Sequence, residues 1–93
     1  MVEGFLWSAN SATIMARVRA VQAMKEASPC TDCGKFYPYY VMDFDHTSDG
    51  KEGNVSQMVK THTMKAILAE IGKCELVCAN CHRIRTHSRS EDR

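Results

Sequence analysis

The sequence predicts a small α+β chain whose ends are pinned together by a metal, and three observations point that way. Two Cys-x-x-Cys pairs, Cys30/Cys33 and Cys78/Cys81, are separated by nearly half of the 93 residues. Together they offer the four thiolates of a tetrahedral structural zinc site. Apolar residues recur at helical spacing before the first pair (Ile14, Val18, Val21) and between the pairs (Val55, Met58, Val59, then Ile67, Leu68, Ile71). Tyr39 to His46 is aromatic and apolar, as an extended strand would be.

Residues 1–10 predict no regular element. The first helix is expected from Ser11 to Ala27, capped by Ser8, Asn10 or Ser11 and stopped by Ser28-Pro29, because a residue before proline is pushed out of the helical region. The first knuckle follows, with Gly34 giving its tight turn a permissive backbone. In the strand from Tyr39 to His46, alternation places Tyr40, Met42, Phe44 and His46 on one face and Val41, Asp43 and Asp45 on the other. If Asp45 and His46 work in one site, the strand must twist, bulge or end there, and Thr47-Ser48-Asp49-Gly50 is a turn-rich sequence that permits it. Asn54 to Ile71 predicts a helix interrupted at Thr61-His62-Thr63, with Thr63 capping the second piece and Gly72 ending it. Leu76-Val77 is a brief extended stretch before the second knuckle. A short helix is expected from Cys81 onward, its N-terminal dipole favouring a phosphate. Met15, Met24, Met58 and Met64 are expected to fill the core.

A chain of 93 residues is expected to form a single domain: an arm and helix over 1–29, a metal-stapled core over 30–87 and a basic tail over 88–93. So short a chain buries a modest core, and thiolate zinc sites can contribute about 10–16 kcal/mol. The formal net charge is +1, too small to announce a polyanionic partner. Its distribution says more. Residues 30–56 set Lys35 and Lys51 against Asp32, Asp43, Asp45, Asp49 and Glu52, whereas the C-terminal third gathers Arg83, Arg85, Arg89 and Arg93. An acidic centre with basic flanks suits a cation-loaded site beside phosphate-binding shoulders, and makes Arg83, Arg85 and Arg89 the DNA-contact candidates. No stretch is apolar for the length of a membrane span, and the run from Val2 to Trp7 is too short for a secretory leader, so no membrane partner is expected. Five cysteines suit four zinc ligands plus a spare thiol, Cys74, expected as a small buried apolar group. A cytoplasmic setting, that of a cell or of an infected host, is expected.

Cys30-x-x-Cys33-Gly34, Asp43-Phe44-Asp45-His46 and Cys78-Ala79-Asn80-Cys81-His82-Arg83 occur here in that order. The set, covering about residues 28–87, resembles the HNH endonuclease family, especially its small phage- or prophage-encoded members. The resemblance implies the ββα-metal (His-Me finger) fold, two antiparallel strands and a helix around one catalytic cation. It makes His46 the general base, Asp45 and His82 the ligands of the catalytic cation, and Cys30, Cys33, Cys78 and Cys81 the structural zinc ligands. For the central asparagine, Asn80 is taken as the group hydrogen-bonding near the base, and Asn54 is the alternative. Products with a 5′-phosphate and a 3′-hydroxyl, and a phage packaging (terminase) partner, are further implications of the same likeness.

The residue types suit that chemistry. A neutral imidazole accepts a proton at cellular pH, and a cation with few protein ligands keeps positions for water and phosphate oxygens. Mg2+ or Mn2+ is expected there, and an imidazole ligand also admits cobalt or nickel. Asp43 is a candidate supporting carboxylate, and His87 a rival to His82. A non-catalytic zinc module that binds DNA or protein explains the cysteines and the basic tail but not the Asp45-His46 pair opposite His82. A dithiol redox protein would need a βαβ pattern that is missing here.

Overall fold

The computed structural model describes residues 10–47 and 53–91. Residues 1–9, most of the expected turn at 47–50, and residues 92 and 93 lie outside the described residues.

Helix α1 spans Ser11–Ala27. Asn10 is its cap: the side-chain oxygen accepts from the Thr13 amide at 2.8 Å, which satisfies one of the orphan donors of the first turn. Ser28 leaves the helix in extended geometry ahead of Pro29, as expected. The aromatic run does not begin as strand. Pro38 accepts from the Val41 amide and closes a 3-10 turn over Tyr39–Val41, so strand β1 is only Met42–His46. Helix α2, Val55–Thr61, and helix α3, Met64–Ile71, are the two halves of the interrupted helix. Thr63 caps the second half through its hydroxyl, which accepts from Ala66 at 3.2 Å. Strand β2 is longer than expected, Cys74–Cys78, and helix α4, Ala79–Glu91, starts two residues earlier than expected.

The fold is thus α+β: a two-stranded antiparallel sheet with four α-helices among the described residues. Pairing runs from Met42 opposite Cys78 to His46 opposite Cys74 in unbroken register. No bulge turns His46 toward Asp45; of the expected alternatives β1 shows the end, at His46, and the two side chains keep to opposite faces. Two cores flank this ribbon. One joins Val21 of α1, Val55, Met58 and Val59 of α2 and Ile67 of α3, with Phe44 packed against it. The other joins Cys30, Met42, Val77, Cys78 and Cys81. Of the expected core methionines, Met58 is buried, Met64 packs at the edge and Met24 is half-buried, but Met15 is exposed; Met42 is the best-buried methionine among the described residues. No helix among the described residues is long and apolar enough to cross a membrane.

Candidate functional site

The four knuckle sulfurs converge. Cys30, Cys33, Cys78 and Cys81 present Sγ atoms that all lie within 4.8 Å of one another. In a tetrahedral zinc site with bonds of about 2.3 Å, sulfurs stand about 3.8 Å apart, so the cluster suits that ion with small adjustments. Local backbone geometry makes the cluster. Gly34 adopts φ +74° and its amide donates to Cys30 O, which folds the first knuckle back on itself. The amides of Cys33 and Cys78 point at Cys30 Sγ, at 3.5 and 3.3 Å. Cys78 occupies the cap position of α4, where its sulfur accepts from the Cys81 amide at 3.4 Å. Burial works against a Cys30 thiolate, but backbone donors from Cys33, Cys78 and Asp32 outweigh it and bring the thiol down to about 6. The hydrogen bond to Cys78, together with burial, pushes the Cys81 thiol up to about 12. Thiols so closely packed do not all ionise without a cation among them, and a metal-binding site is the chemistry the set can perform. Cys74 stays outside it, half-buried, its thiol near Glu70 O at 3.4 Å.

The second group of residues lies where β1 meets α4. His82, Arg85 and Arg89 follow one another at i, i+3 and i+7, so α4 turns one face toward Asp43 and Asp45. His82 stands between the two carboxylates, Nδ1 at 3.1 Å from Asp43 Oδ2 and Nε2 at 3.6 Å from Asp45 Oδ1. The carboxylates differ sharply in surroundings. The Asp45 side chain is 6% exposed and accepts from Arg85 at 2.8 Å and Arg89 at 2.7 and 3.1 Å. The Arg89 guanidinium, helped by Arg85 and opposed by burial, holds the Asp45 carboxyl at about 2. The Asp43 side chain is 47% exposed and pairs with no arginine among the described residues.

Arg85 also reaches Asp32 at 2.6 and 2.7 Å and Glu75 at 2.7 Å. Those bonds, Asp32 first, raise its pKa and lower that of Asp32. Arg85 thus joins the first knuckle, both strands and α4 into one ion network, and of the three DNA-contact candidates Arg83 alone is exposed with no ion pair among the described residues.

His46 lies on the other face of β1, with Nε2 at 2.6 Å from Glu70 Oε2 on α3. An open groove of about 530 Å³ runs along this edge, lined by Lys25, Asp43, His46, Asn54 and His82 among others. His46, Asp43 and His82 thus border one space, although Asp45 and His46 point apart. Asn54 borders it too, whereas Asn80 is exposed in the first turn of α4 and its side chain makes no hydrogen bond among the described residues. Glu70 was missed in the sequence. The signal was there: with Ile67 it forms an i, i+3 pair on the face of α3 that is buried, an acid where an apolar residue is ordinary.

No family model matches the chain, and no characterised protein or solved structure shows significant similarity to it. The likeness to HNH endonucleases therefore rests on the motif residues themselves. Among the described residues, only the four cysteines form a converging group of three or more candidate metal ligands.

Proposed function

We propose that the protein is a zinc-stapled, divalent-cation-dependent DNA endonuclease of the HNH type, with β1, β2 and α4 as its ββα-metal unit. The observation that carries the reading is that His46, Asp43 and His82 border one groove while the four cysteines converge elsewhere. A separate structural metal leaves the imidazoles and carboxylates to a second task.

In this reading His46 takes a proton from water, the water oxygen bonds to phosphorus, and the bond from phosphorus to the leaving oxygen breaks. The leaving alkoxide regains a proton from solvent. A divalent cation, when bound, neutralises charge on the phosphoryl oxygens. His82 would hold it with an aspartate of β1. The sequence motif names Asp45; the geometry favours Asp43, whose oxygen stands 3.1 Å from His82 Nδ1. Neighbouring corners of an octahedron with bonds of about 2.1 Å are separated by about 3 Å. Asp45, held by two arginines, would instead fix α4 against the strand. In this reading Lys25 on the groove wall and the exposed Arg83 on α4 would meet backbone phosphates.

The grip of Arg85 and Arg89 on Asp45 favours a second reading, a zinc module that binds nucleic acid or protein without cleaving it. One experiment separates the two. Zinc-loaded protein is incubated with supercoiled plasmid over a series of Mg2+ and Mn2+ concentrations, alongside His46→Ala. Cation-dependent nicking that falls about 10²–10⁴-fold in the variant, with zinc retained, is expected for the nuclease. Equal rates for both proteins, or none for either, would leave only the binding module.

A further inference from the structure

Glu70 is a buried acid behind His46 that the chemistry above does not use. Its side chain is 2% exposed, and a carboxylate so placed requires donors. Lys73, one turn on, donates to Oε1 at 3.0 Å, and the His46 ring stands with Nε2 at 2.6 Å from Oε2. The backbone around His46 is fixed as well. Its strand partner is Cys74, and the next amide, Thr47 N, donates to Lys73 O at 3.1 Å. With the end of β1 tied to the α3–β2 turn and one ring nitrogen tied to α3, the imidazole has one orientation left.

We infer that Glu70 is a positioning residue for His46, holding the ring proton on Nε2 so that Nδ1 carries the lone pair. The assignment rests on the nuclease reading only for its consequence, that Nδ1 is the atom accepting the proton of the attacking water. The physical basis is the donor inventory. An ionised carboxylate only accepts, the Lys73 ammonium beside it favours the ionised form, and so the 2.6 Å contact needs a hydrogen on Nε2. A neutral ring with its proton on Nε2 has an unprotonated Nδ1. A ring that could exchange tautomers would present a donor, not an acceptor, to water for part of the time.

The test has two arms. In zinc-loaded, 15N-labelled protein, long-range proton–nitrogen spectra report the tautomer of each neutral histidine ring, and His46→Gln identifies the His46 signals. Wild-type protein is expected to show His46 in the Nε2–H form alone. Glu70→Leu, which keeps the bulk without an acceptor, should give a mixture of tautomers, as should Glu70→Gln to a smaller degree. In the second arm, cleavage by either variant should lose about 10–100-fold in kcat with KM and zinc content unchanged. A His46 ring in the Nδ1–H form, or one whose tautomer is the same in Glu70→Leu as in wild type, overturns the inference. Wild-type protein that cuts no DNA overturns the nuclease reading instead, while the spectra by themselves still decide what Glu70 does.

Discussion

Asp43 and Asp45 are two residues apart on one face of β1, yet their surroundings differ. Asp45 is held at about 2, below the ordinary value of about 3.9 that it recovers on unfolding. A depressed carboxyl contributes stability that is complete above the unfolded pKa and fades as pH falls from about 4 toward 2. At neutral pH the full contribution is present, so Asp45→Asn should lower the unfolding free energy by about 2 kcal/mol in urea titrations. Asp43 is exposed and has no arginine partner among the described residues, so Asp43→Ala should change stability by no more than about 0.5 kcal/mol. Cleavage should respond in the reverse order. Asp43→Ala should need several-fold more Mn2+ for half-maximal nicking, and Asp45→Asn, where it stays folded, should keep the wild-type requirement. A raised Mn2+ requirement in the Asp45 variant alone would return the ligand role to Asp45.

At the scale of elements, the two knuckles are a turn and a helix cap brought together by strand pairing. Met42 opposite Cys78 sets the register that delivers the second knuckle beneath the first. Cys33→Ser should therefore lose zinc and, with it, the cooperative unfolding transition, whereas Cys74→Ser should retain both. Zinc retained at one equivalent per chain by the Cys33 variant would show that the cluster is not the site. Metal loading has a second readout. The Cys81 thiol stands at about 12 before metal enters and must ionise to bind it, so each zinc should release at least one proton at pH 7. An indicator dye in weak buffer measures this, and release of less than one proton per zinc would contradict a four-thiolate site.

Among the described residues of the basic C-terminal region, Arg85 and Arg89 hold the fold and Arg83 faces outward. Arg85 bridges Asp32, Asp45 and Glu75, so it links the zinc knuckle to the sheet and to α4. Arg85→Ala is expected to destabilise the chain first and to weaken DNA binding only as a consequence. Arg83→Ala should leave stability unchanged and reduce the slope of log binding constant against log salt by about 1, measured by fluorescence anisotropy on a short duplex. If the Arg85 variant is as stable as wild type and carries the larger loss of salt dependence, the network is a surface accident and Arg85 is a phosphate contact.

What the sequence determined by itself is short-range. A cap among Ser8, Asn10 and Ser11, the stop at Ser28-Pro29, the break at Thr61-His62-Thr63 and the tight turn at Gly34 each follow from a residue and its immediate neighbours; the structure chose Asn10. The cysteine pairing was readable too, because two Cys-x-x-Cys spacings have few other uses. Tertiary structure alone decided which charges meet. Nothing in the spacing of Arg85 and Asp45 says that they touch at 2.8 Å, or that Glu70 reaches His46 from α3. Strand alternation predicted that Asp45 and His46 would point apart; only the packing of α3 against one face and α4 against the other determined that each would find a different partner. Backbone propensity acts over a few residues, whereas a side chain's electrostatic surroundings depend on every element folded against it.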